Sequence, residues 1–139
     1  GVTGISAVQT FASADNTFEN GWKWVFDVTV PTNKTALKMK FADWTKGSDA
    51  IPADNNIRIY SSQSSNAYDS LHAIIINTAG TYSDEMDLNS NIDLDAISKS
   101  GRQIQIIVEA RVPESSAGGS YSTSYGIKSI PDTIVPVIT

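Results

Sequence analysis

Strict alternation of apolar and polar residues constrains this chain more than any other feature. In Trp22-Lys23-Trp24-Val25-Phe26-Asp27-Val28-Thr29-Val30 every even position is apolar. A period of two places those side chains on one face of a strand, with Lys23, Val25, Asp27 and Thr29 on the other. Pro31 removes a backbone donor and closes the ladder. Leu37-Lys38-Met39-Lys40-Phe41 repeats the pattern with odd positions inward, and Ile57-Arg58-Ile59-Tyr60 is a shorter copy. The longest run, Gln103 to Val112, turns its even positions inward and stops at Pro113. Tyr121, Thr123, Tyr125 and Ile127 share one face of a late strand, and weaker strands are expected at Ile5–Phe11, Leu71–Asn77 and Thr81–Leu88. Turn-rich segments such as Lys46-Gly47-Ser48-Asp49 and Pro52-Ala53-Asp54-Asn55 separate these runs. The only helical expectation is a single turn over Asp93–Ser100, capped by Asp95 and ended by Gly101.

Short strands at regular spacing predict an all-β fold: an antiparallel β-sandwich, jelly-roll or immunoglobulin-like, of about eight strands. At 139 residues the chain builds one core, and no repeat of 20 to 50 residues divides it. The expected organisation is a sandwich module over 1–129, with 130–139 a Pro-containing exit linker or the start of a next module.

The net charge of −5 argues against non-specific nucleic-acid binding, which needs basic stripes on phosphate, and against an anionic membrane surface. The absence of cysteine excludes disulfides, Cys-ligated zinc and thiol catalysis. Ala73-Ile74-Ile75-Ile76 is the longest apolar run, far short of the ~18 residues of a membrane-spanning helix. A start at Gly1 rather than Met reads as an excised or processed segment, with any targeting signal expected elsewhere.

The C-terminal residues Asp132-Thr133-Ile134-Val135-Pro136-Val137-Ile138-Thr139 resemble the D-T-x-x-P-V-I-T junction that opens immunoglobulin-like repeats in large bacterial surface proteins. The stretch Gly118 to Ile127 is similar to a closing strand of β modules in such proteins. The resemblance covers about 20 residues. It implies an extracellular or cell-surface module followed by immunoglobulin-like domains of the same chain.

Two sets of residues are candidates for binding. Asp87-Leu88-Asn89-Ser90-Asn91-Ile92-Asp93-Leu94-Asp95 places oxygen-bearing side chains at every second position, and calcium prefers six to eight oxygens. Six of the fifteen acids lie between Asp69 and Asp95. The candidate calcium ligands are Asp84, Glu85, Asp87, Asn89, Asn91, Asp93 and Asp95. An EF-hand is rejected, because Ile92 stands where that loop needs glycine and Ser98 where it needs a bidentate glutamate. The competing reading is a solvated edge with Leu88, Ile92 and Leu94 inward. The second set is aromatic. Flat rings on the solvent side stack the apolar faces of sugars, and Trp44, Tyr60 and Tyr68 are the expected surface aromatics. Trp22 and Trp24 share the inward face with Phe26 and are expected in the core.

Catalytic signals are weak. His72 is the only histidine, it sits beside an apolar stretch, and no G-x-S-x-G elbow exists. Asp27 and Glu109 are mid-strand acids in outward phase, expected to pair with Lys or Arg across the sheet. Lys38 and Lys40 also point outward, against an internal Lys–Asn isopeptide bond. The expected function is therefore non-catalytic: structural spacing or adhesion, with another surface protein or a glycan as partner. The alternatives are a carbohydrate-binding module, calcium-stabilised or not, and a pilin or surface-layer subunit. A spacer should carry its two ends at opposite poles, a sugar binder should expose several aromatics, and a polymer subunit should offer an open strand edge.

Overall fold

The computed structural model describes residues 1–61, 68–88 and 95–130, and these form ten strands with no helix. In chain order the strands are β1 (Val2–Gln9), β2 (Trp22–Val30), β3 (Ala36–Phe41), β4 (Trp44–Lys46), β5 (Asp49–Ile51), β6 (Ile57–Ser61), β7 (Ile74–Ile75), β8 (Met86–Asp87), β9 (Arg102–Ala110) and β10 (Tyr125–Ile130). Five of them make one antiparallel sheet in the order β1-β2-β9-β6-β7. A three-stranded sheet, β10-β3-β8, faces it, and β4 and β5 form a separate hairpin. The all-β, sandwich-like architecture expected from the alternation is what the chain adopts.

The side-chain phases follow the sequence closely. Phe26, Val28 and Val30 from β2, Leu37, Met39 and Phe41 from β3, and Ile104, Ile106 and Val108 from β9 meet in one buried cluster. β2 and β9 pair in unbroken register from Trp22 opposite Ala110 to Val30 opposite Arg102. That register puts both sets of even-numbered apolar side chains on the same inner face. Ile57 and Ile59 of β6 extend the cluster, so the largest sheet presents a continuous apolar surface.

Several local expectations are corrected. The β4–β5 hairpin was not anticipated; the expected turn at Lys46–Asp49 is its reversal, with Gly47 at a φ of 59° that favours glycine. The stretches Leu71–Asn77 and Thr81–Leu88 contribute only two-residue strands. The expected strand over Ile5–Phe11 is shifted to Val2–Gln9. The late strand pairs with β3 from Tyr125 onward, and Ser122 makes only a bridge to Thr45. Residues 95–100 form turns, not a helical turn. Asp95 there accepts a hydrogen bond from the Gln103 amide (2.8 Å) and a contact from Lys99 Nζ (2.8 Å), bracing the start of β9. The resembling C-terminal segment 132–139 lies outside the described residues.

The strand directions define two poles. Gly1 lies beside the end of β2, where its amine donates to the Thr29 carbonyl at 3.0 Å. Ile130 pairs with Ala36 at the start of β3. Both therefore sit at the pole of the β2–β3 connection. The opposite pole gathers the start of β2, the ends of β1, β3 and β9, and the β4–β5 hairpin.

Candidate functional site

At that opposite pole the inner face of β2 runs past its covering layer. Trp22 and Trp24, two residues apart on one strand face, are only half-buried, and their ring centroids lie 6.3 Å apart. Trp44 of the β4–β5 hairpin comes up against both, 5.1 Å from Trp22 and stacked on Trp24 at 5.2 Å with 16° between planes. Tyr121 adds a fourth ring 5.9 Å from Trp22. These rings line an open cleft of about 510 Å³. All three tryptophans of the chain are in it.

Glycine sets the entry to β2. A Cβ on Gly21 would fall 1.8 Å from the Ala110 carbonyl oxygen, so only glycine lets the chain pass against β9 before Trp22. Gln9 of β1 reaches across to the Gly21 carbonyl at 2.5 Å. One wall of the cleft is the segment Thr10–Ala14, carrying the almost fully exposed Phe11. Behind it Asp15 folds the loop: one carboxylate oxygen accepts from the Thr17 amide and hydroxyl, the other from Asn20 Nδ2 at 2.7 Å. Those bonds hold the Asp15 carboxyl below its ordinary pKa, the Asn20 bond most of all.

The other wall is Ser116–Tyr121. The Tyr121 hydroxyl donates to the Ala117 carbonyl at 2.6 Å, curling this loop on itself. Lys46 straps it down, donating from Nζ to the Gly118 carbonyl at 2.6 Å, and its side chain occupies the space a Cβ on Gly119 would need. The Lys46 ammonium also sits 5.8 Å from the Tyr121 ring centroid and 3.4 Å from Asp49. The lining itself is aromatic, small aliphatic and hydroxyl-bearing, with no ionisable group other than the Tyr121 phenol. Such a surface favours an uncharged ligand with a flat apolar face and hydroxyls at its edge.

The residues singled out in the sequence do not form one site. Trp44 lines the cleft, but it is buried rather than on the surface (6 % exposed), because Trp22 and Trp24 cover its ring. Its indole N–H has no hydrogen-bond partner among the described residues. Tyr60 is also buried. It lies on the outer face of the large sheet, as its phase requires, in a second small cluster with Val25 and Ile107. Burial, and then the nearby charge of Glu109, push its phenol well above the ordinary tyrosine range. Tyr68 is exposed and packs edge-on to Tyr60 at 5.5 Å. Beneath Tyr68, Arg58 and Glu109 sit directly opposite one another on β6 and β9 and form a buried ion pair of 2.6 Å. The expected cross-strand pairing of Glu109 is thus present. Asp27 accepts instead from Gln105 Nε2 at 3.1 Å.

Of the candidate calcium ligands, Asn89, Asn91 and Asp93 lie outside the described residues. Asp84, Glu85 and Asp87 are exposed, and Asp95 is engaged by Lys99 and Gln103. Among the described residues no three acidic or histidine side chains gather as a metal site. His72 is held by Asp69, Nδ1 to Oδ2 at 2.5 Å, on the loop before β7. Lys38 and Lys40 are half-exposed, as their phase predicts.

Trp22, Trp24, Tyr121 and Phe11 are the cleft residues that alternation alone assigned to the core or to ordinary strands. The signal available in the sequence was the position of Trp22 and Trp24 at the very start of their strand. No protein-family model and no curated protein matches this chain.

Proposed function

We propose that this domain is a non-catalytic binding module of an extracellular bacterial protein, and that the aromatic cleft holds a neutral glycan. The observation that carries the reading is the convergence of three tryptophans and a tyrosine on one open, charge-free cleft. Tryptophan is highly buried on average though rarely completely so, and it is the open cleft beside it that is informative. Here two of the three are left half-covered beside an exposed phenylalanine. The tryptophan rings pack on one another at 5.1–6.3 Å, tilted or stacked rather than in one plane, and together form one side of the open cleft. A cleft with such a floor suits the end of a glycan chain or a short oligosaccharide better than an extended flat surface.

The positions of Gly1 and Ile130 support the same reading. Both lie at the pole opposite the cleft. An in-line spacer carries its two connections at opposite poles. The cleft at the pole away from Gly1 and Ile130 supports reading it as an adhesive tip.

The test is a glycan array, followed by titration calorimetry on any hit with wild type, Phe11→Ala and Trp22→Ala. Phe11 is exposed, so its truncation leaves the fold intact. The expected result is a neutral glycan bound by wild type and at least tenfold weaker binding by both variants. An array without any bound glycan would overturn the proposal, as would binding indifferent to both substitutions.

A further inference from the structure

The outer face of the three-stranded sheet concentrates positive charge on an acidic chain. In β3, Leu37, Met39 and Phe41 fill the core, so Lys38 and Lys40 point the other way. β10 lies beside β3 in a register that sets Lys128 directly opposite Lys38 and Gly126 opposite Lys40. Three of the chain's seven lysines therefore share one patch of a protein whose net charge is −5. Like charges directly opposite one another on neighbouring strands destabilise a sheet. None of the ion pairs among the described residues includes Lys38, Lys40 or Lys128. The exposed acids of this sheet, Asp84, Glu85 and Asp87, lie in and just before β8, on the far side of β3 from Lys128.

Tyr82 organises the patch. The Lys128 ammonium lies 4.4 Å from its ring centroid and the Lys40 ammonium 4.8 Å. Gly126 makes the room, since a Cβ there would fall 2.7 Å from Lys40 Cε and 3.2 Å from the Tyr82 hydroxyl. The ring thus gathers two ammoniums without neutralising either, and its hydroxyl stands beside them over Gly126.

We infer that this face binds a sulfated polysaccharide, with Lys38, Lys40 and Lys128 holding its sulfate esters and the Tyr82 hydroxyl donating to them. Charge complementarity selects an anion, and the donor chemistry narrows it. All three cations are lysines, and none of the three arginines belongs to the patch. Ammoniums offer donors and no acceptor, and they lack the planar fork that grips a carboxylate at both oxygens. A set of donors fits a tetrahedral oxyanion that keeps no proton. A sulfate ester is such a group, whereas a phosphate monoester takes up a proton near a pH of about 6. Between Lys38 and Lys128 a sulfate converts the like-charge contact into a bridge. At physiological salt, charges beyond about 8 Å are largely screened, so the acidic remainder of the surface opposes this contact only weakly. The patch shares no residue with the aromatic cleft, and the inference does not rest on the glycan reading of that cleft.

The test is surface plasmon resonance at physiological salt on immobilised dextran sulfate, carboxymethyl dextran and uncharged dextran. The proteins are wild type, Lys40→Gln, the double variant Lys38→Gln/Lys128→Gln, and Lys99→Gln. Lys99 is exposed on a loop away from the patch, so K99Q makes the same change in net charge as K40Q. Wild type is expected to bind dextran sulfate, to bind carboxymethyl dextran more weakly, and to ignore dextran. K40Q should bind dextran sulfate about tenfold more weakly, the double variant more weakly still, and K99Q as wild type does. The double variant also removes the like-charge pair, so it is expected to melt no lower than wild type, which separates lost binding from lost fold. A wild type that ignores dextran sulfate would overturn the inference. Equal binding to carboxymethyl dextran would overturn the choice of sulfate, and equal losses in K40Q and K99Q would overturn the choice of face.

Discussion

Replacing Arg58 by methionine removes half of a buried ion pair while keeping an unbranched apolar stem of similar reach. Both partners are about 8 % exposed, so solvent screening does little to weaken their 2.6 Å contact. Removing one member of such a pair costs about 3–5 kcal/mol, because the other is left charged and desolvated. The Arg58 guanidinium also lies 3.6 Å from the Tyr68 ring centroid and 4.4 Å from that of Phe18. Each of these contacts adds about 0.5–1 kcal/mol, part of which methionine retains through packing. Arg58→Met should therefore cost ~4 kcal/mol. At roughly 3–4 °C per kcal/mol for a domain of this size, the melting temperature falls by about 12–16 °C. Glu109→Leu should cost a similar amount, since it strands the guanidinium. The double variant should lose less than either single one, about 0–2 kcal/mol, because no uncompensated charge remains. Urea denaturation of all four proteins closes the cycle. Single-variant losses below about 1 kcal/mol, or losses that simply add, would refute the claim that this pair is buried and coupled.

Three further outcomes follow from the geometry. Gly21→Ala drives a methyl into the Ala110 carbonyl and should lower stability by at least ~3 kcal/mol by urea denaturation, whereas Gly118→Ala, with open space around it, should stay within about 1 kcal/mol. Asp15, Asp69 and Asp95 are each held below the ordinary carboxyl pKa of 3.8, by bonds from Asn20, His72 and Lys99 first of all. Their contribution is complete above pH ~4 and is lost as pH falls through the folded values, so melting temperature should drop on acidification, and less steeply in Asp15→Asn. Asp95 bonds Lys99 Nζ and the Gln103 amide, so calcium drawing on that carboxylate must compete with both; a calcium-dependent rise in melting temperature of several degrees, reversed by EDTA and lost in Asp95→Asn, would establish residues 84–95 as a cation site, and an unchanged melting temperature would remove it.

Much of the fold was legible because alternation is a local property. The phases of β2, β3, β6 and β9 follow directly from residue parity, and so does the inward aim of Trp22 and Trp24. What parity cannot carry is how far the opposing layer extends. Trp22 and Trp24 point inward at a level where a hairpin of two three-residue strands and the Tyr121 loop cover them. That hairpin was invisible because each of its strands contributes a single inward side chain, Trp44 or Ile51, which is too few to alternate. The opposite error befell Tyr60. Its outward phase was read correctly, but outward did not mean wet, since Tyr68, Val25 and Ile107 cover that position. Exposure is set by the partner layer, which sequence parity on one strand does not specify.

The gathering of every tryptophan at one pole also governs what light can report about this domain. Three indoles within 6.3 Å of one another couple electronically, so the far-ultraviolet dichroism should carry an exciton signature on top of the weak β-sheet signal. Indole emission likewise samples only the cleft and the hairpin beside it. If that pole loosens before the rest, fluorescence will register a transition while the Met39 and Ile104 region remains closed. Fluorescence and dichroism below the indole bands should then disagree on the midpoint. The difference between them would measure how independently the tip moves from the sandwich that carries it.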